Sequence, residues 1–138
     1  MSRETKDAVE SAQSQTLLFL QAQLRDLREK IETHISYVLI SENIVFKLKK
    51  AVAFSYLDFS TPKQRLTMCL REFSLNQKYA SNLYLGVRRI TRAANDALEF
   101  DCAGALIDAV VVMQRFDDSA LFDALARQGA LDRKSTRL

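Results

Sequence analysis

The sequence predicts an all-α fold: a single-domain helical bundle of four to six helices with a long N-terminal helix. Three observations carry that expectation. Only three Gly and one Pro occur in 138 residues, few for the tight turns that β-hairpins use. Several segments repeat apolar residues every three or four positions, the period of a helix face. Thr61-Pro62, with Gln64 following, has the spacing of a capping box with Pro at the first helical position.

Size and composition agree with one domain. A chain with 48% hydrophobic and 27% charged residues has ordinary globular composition. At this length it buries about two thirds of the surface its unfolded form exposes. The expected organisation is one helical domain over residues 1–131 and a flexible polar tail over residues 132–138.

The first helix is expected to start near Asp7 and run into the thirties. Leu17, Leu20, Leu24, Leu27 and Ile31 follow one another in steps of three and four, the a/d pattern of a helical seam. Such a seam packs inside a bundle and also suits homo-oligomerisation. After a break at Ser41-Glu42-Asn43, a second helix would place Val45, Leu48, Val52, Tyr56 and Phe59 on one side, with Lys47 and Lys50 outside. The helix from Pro62 turns Leu66, Cys69, Leu70 and Phe73 inward.

Between Lys78 and Leu98, Tyr79, Leu83, Val87, Ile90, Ala94 and Ala97 cluster on one helical face, with Lys78, Arg88, Arg89 and Arg92 opposite. Asp101 then caps an apolar element reaching Phe116. Its Val110-Val111-Val112 run suits a strand, but with no partner strand evident the expectation is a buried central helix. Asp117-Asp118-Ser119 caps a short last helix, Ala120 to Gln128, which Gly129 ends.

The charge distribution is the strongest functional signal. Ten basic residues and two acidic ones fall between Lys47 and Arg92, a local net +8 inside a whole-chain charge of +3. The stretches on either side are acidic. A field so segregated favours an acidic partner. The residues expected to meet it are Lys47, Lys50, Lys63, Arg65, Arg71, Lys78, Tyr84, Arg88, Arg89 and Arg92. Tyr84 is included because it lies off the apolar stripe, four residues before Arg88, as a stacking neighbour.

Enzymatic signatures are sparse. His34 is the only histidine, and no nucleophile motif surrounds it. No GxxxxGK[ST] or GxGxxG loop occurs. Two Cys and one His cannot make a structural zinc site, so no metal or cofactor and no small-molecule substrate are expected. Cys69 and Cys102 are expected to be free thiols in a reducing, cytoplasmic setting. No apolar stretch escapes charge long enough to span a membrane. Thr136-Arg137-Leu138 has the form of a short carboxyl-terminal ligand and loosely that of a peroxisomal address.

The function expected from these residues is a non-enzymatic helical interaction protein. It would self-associate through the Leu17–Ile31 seam and present its basic centre to an acidic protein partner. The alternative is a nucleic-acid-binding protein that uses the same surface against backbone phosphates.

Overall fold

The computed structural model describes residues 3–55, 57–80 and 82–115, with side chains from Gln13 onward except that of Leu57. Among these residues it shows a mostly antiparallel β fold with two helices. The elements are α1 (Arg3–Gln23), β1 (Leu27–Glu32), β2 (Ser36–Ser41), β3 (Ile44–Lys49), β4 (Ala53–Phe54), β5 (Leu57–Asp58), α2 (Pro62–Gln77), β6 (Tyr84–Arg92), β7 (Leu98–Phe100) and β8 (Leu106–Gln114). Six strands form one sheet in the order β1-β2-β3-β8-β6-β7, and β4 and β5 form a small separate hairpin. Every pairing is antiparallel.

The all-α expectation is therefore overturned, and each segment shows why. β2 is buried along its whole length and β3 nearly so, because helices cover both faces of the sheet. A strand buried on both faces loses its polar alternation and resembles the inside of a helix. The valine run of β8 lies between β3 and β6, with Val111 opposite Lys47 on one side and Val87 on the other. Partner strands exist on both sides, where none had been expected.

The β2–β3 and β6–β7 turns are made without glycine. The β2–β3 hairpin closes through Glu42 and Asn43, where the Ser41 hydroxyl donates to the Ile44 carbonyl at 2.7 Å and accepts the Ile44 amide at 3.2 Å. Asp96 and Asp101 take the left-handed conformation, with φ of 70° and 55°, which Asp tolerates better than most residues. A low glycine count thus did not forbid hairpins.

The N-terminal helix stops at Gln23, well short of the thirties. Leu17, Leu20 and Leu24 pack with Tyr37, Leu39, Phe46, Leu48, Ile90, Val110 and Val112 on one face of the sheet. Leu27 and Ile31, expected on the same helical seam, belong to β1. The segment expected as a second helix is β3 and the β4–β5 hairpin, and the Lys78–Leu98 helix is replaced by β6 and its turns. The buried central helix is β8.

Among the described elements, only α2 begins where its sequence signal places it. Gln64 donates its amide to the Thr61 hydroxyl at 3.2 Å, and the Thr61 amide donates to the Gln64 side chain at 3.1 Å. This helix lies on β8 and β6, on the face opposite α1. There Cys69 joins Val38, Ile40, Val45, Leu83, Tyr84, Ala109, Val111 and Met113. The expected last helix, its Gly129 stop and the tail over 132–138 lie outside the described residues.

Candidate functional site: a buried lysine–glutamate corner

Strand periodicity positions the site. In β3, Phe46 and Leu48 face α1, while Val45, Lys47 and Lys49 face α2. Glu72 stands on α2 one turn after the buried Cys69 and meets both lysines. Its Oε1 is 2.7 Å from Lys49 Nζ and 3.6 Å from Lys47 Nζ. The side chains of both lysines are 6% exposed and that of Glu72 is 12% exposed. Two ammonium groups and one carboxylate thus share a nearly dry corner, where charges interact far more strongly than on the surface. Phe59, itself buried, closes it, with its ring centroid 5.4 Å from Lys49 Nζ.

A second buried network braces this corner. Arg65, in the first turns of α2, donates from Nε to Asp108 Oδ1 at 2.9 Å and from a terminal nitrogen to the Phe59 carbonyl at 2.8 Å. Gln13 of α1 donates to the Lys49 carbonyl at 3.0 Å and to Asp108 Oδ2 at 3.1 Å, and accepts the Ala51 amide at 2.9 Å. One glutamine therefore ties α1 to the end of the lysine strand and to the acid that holds α2. Burial pushes the Asp108 carboxyl upward, against the pull of Arg65 and Gln13. Burial likewise pushes the Cys69 thiol up to about 12.

The ten residues expected to form one basic surface are dispersed. Lys47 and Arg65 are buried in ion pairs with acids of this chain. Lys50 pairs with Glu32 at 3.4 Å and lies over the Tyr37 ring. Arg88 pairs with Asp101 at 2.8 Å and stacks on Phe100, while Arg92 reaches Asp96. Arg89 is half-buried and donates toward the Cys102 carbonyl at 3.5 Å. Tyr84 is buried among the residues facing α2. Lys63, Arg71 and Lys78 are exposed on α2 and just beyond it.

Sequence reasoning missed Lys49 as a site residue, and with it Glu72, Gln13 and Asp108. The available signal was the strand-period alternation Val45-Phe46-Lys47-Leu48-Lys49, which puts both lysines on one face only if the segment is a strand.

Comparison with known proteins adds relatives but no activity. No family model matches the chain, and no solved structure matches it. Uncharacterized protein Rv2004c of Mycobacterium tuberculosis and uncharacterized protein Mb2027c of Mycobacterium bovis are each 36% identical to it over 106 residues. The match covers 73% of this chain and 20% of each relative, so the chain spans about a fifth of the length of the curated relatives it matches. Among the described residues, no helix is long and apolar enough to cross a membrane.

Proposed function

We propose that this chain is the phosphate-gripping lobe of a kinase-like phosphotransferase, and that Lys47 and Lys49 receive the phosphates of a nucleotide. One observation carries the reading: the buried Lys49–Glu72 pair at 2.7 Å. In protein kinases a lysine on the third strand binds nucleotide phosphates and is held by a glutamate of the following helix. Here the lysines stand on the third strand of an antiparallel run. The glutamate stands on α2, the next helix in the chain, before the return to the sheet.

Glu72 in this role fixes the ammonium groups in place before ligand arrives, so less ordering is left to binding. Phe59 must yield for an anion to reach them. The chain carries no glycine-rich phosphate loop and no H-R-D catalytic motif. The reading is therefore confined to gripping phosphates, and the transfer step is assigned to no residue of this chain.

Titration of the full chain with Mg-ATP, followed by amide chemical shifts, tests it. Saturable shifts at β3 and α2 are expected, weakened at least tenfold by Lys49→Met and unaffected by Lys63→Ala. Absence of saturable shifts at β3 refutes it.

A second reading is supported by α2 itself. Lys63, Arg71 and Lys78 are exposed there with Leu70 and Leu75, which are 51% and 56% exposed. Basic and apolar groups together suit an acidic protein partner. Titration with poly-glutamate would then shift α2 resonances and leave β3 unmoved. A DNA duplex binding with steep salt dependence would favour nucleic acid instead. Self-association, the remaining expectation, is tested by light scattering over a concentration series.

A further inference from the structure

Ser36 opens β2 directly across from Lys49, and the next same-face pair is Val38 with Lys47. Cross-strand partners in an antiparallel pair share a face, so the Ser36 hydroxyl lies on the lysine face. Val38 and Val45 bear this out, because both pack on the α2 side, whereas Tyr37 and Leu39 pack on the α1 side. Ser36 is 1% exposed, and its Oγ has no hydrogen-bond partner. Buried hydroxyls are nearly always satisfied, and an unmade bond is costly. The other buried hydroxyl without a partner among the described residues, that of Thr16, is on α1, the helix on the opposite face of the sheet from α2.

The turn before Ser36 explains why a side chain would be needed here. Glycine-rich loops cradle phosphates with free backbone amides. In the turn between β1 and β2, the Thr33 hydroxyl accepts the Ile35 amide at 3.3 Å and the Ser36 amide at 3.0 Å. Those two amides are already engaged and do not serve as a cradle of that kind. A hydroxyl on the same face of the sheet as the two lysines could supply a donor in its place.

We propose that Ser36 is a ligand-binding residue of this corner, donating its hydroxyl hydrogen to an oxygen of a phosphate chain held by Lys47 and Lys49. The inference rests on the phosphate-gripping reading above and adds a residue to it. The ligand class is a polyphosphate, free or nucleotide-borne, because the contacts described are to phosphate oxygens alone.

The test is titration of the full chain with Mg-ATP and, separately, with inorganic tripolyphosphate, for wild type, Ser36→Ala and Lys49→Met. Ser36→Ala is expected to weaken both ligands about tenfold. Its thermal midpoint should equal or exceed that of wild type, since a buried unsatisfied hydroxyl is removed. Affinity within twofold of wild type, with Lys49→Met still impaired, overturns the Ser36 assignment and leaves the lysine reading standing. A lowered midpoint with unchanged affinity also overturns it, by making the hydroxyl structural. If wild type binds neither ligand, both readings fall.

Discussion

Removing the carboxylate of Glu72 is the sharpest perturbation of the corner. Glu72→Gln keeps the shape of the side chain but leaves two ammonium groups facing a neutral amide at 2.7 and 3.6 Å. Their side chains are 6% exposed, so water cannot replace the lost charge. Breaking a buried pair from one side costs about 3–5 kcal/mol, because the charge left behind is uncompensated. At about 4 °C per kcal/mol for a chain of this size, the thermal midpoint should fall by ~12–20 °C. Glu42→Gln is the matched control. Its pair with Arg28 spans 3.8 Å and its side chain is 63% exposed, so its loss should cost less than about 1 kcal/mol. Replacing Lys47, Lys49 and Glu72 together by Met, Met and Leu should recover most of the stability, since an apolar set carries no desolvation penalty. Urea denaturation of the four proteins measures these differences. If Glu72→Gln is no more damaging than Glu42→Gln, the corner is not dry and the argument for a preorganised phosphate site fails with it.

Three further outcomes follow from the geometry. A Cβ on Gly104 would sit 1.7 Å from the Arg92 carbonyl oxygen, whereas one on Gly86 meets nothing within 4 Å. Gly104→Ala should therefore cost at least about 2 kcal/mol in denaturant melts while Gly86→Ala costs little; equal effects would refute the close approach of this loop to β6. Cys69 is fully buried with its thiol pushed up to about 12, so iodoacetamide at pH 8 should modify Cys102 in the native protein and Cys69 only after unfolding, as read by mass spectrometry. Partial burial pushes Asp101 upward, but the Arg89 amide and the Arg88 guanidinium hold it below its usual 3.8. Its contribution is thus present above pH 3.8 and lost as pH falls through the lower folded value. The stability gap between wild type and Asp101→Asn should be flat from pH 7 to 5 and close toward pH 3.

What the sequence disclosed depended on whether a signal was local. The Thr61–Gln64 box needs only four consecutive residues, and α2 starts there. The strands failed because their identity lies in pairing between distant segments. β8 becomes a strand by fitting between β3 and β6, with Val111 opposite both Lys47 and Val87, and no window of the sequence contains those partners. Burial on both faces then erased the alternation that would have marked β2 and β8. The short Leu17-Leu20-Leu24 period was real, but a helix lying on a sheet and a helix in a bundle bury the same stripe.

The same nonlocality governs the site. The +8 of the central segment suggested one cationic surface, yet cations gathered in sequence scatter once strands turn their neighbours to opposite faces. Arg88 faces the side of Phe100, whereas Lys47 and Lys49 point the other way, toward α2. Much of the basic charge is answered by acids at hand: Glu32, Glu72, Asp96, Asp101 and Asp108. The charge count therefore did not report the geometry, because it cannot see which face each cation takes. Two lysines two residues apart matter here because β3 gives them one face and α2 gives them one carboxylate. That arrangement concentrates cationic charge where water is scarce, which is the condition under which a bound phosphate is worth most.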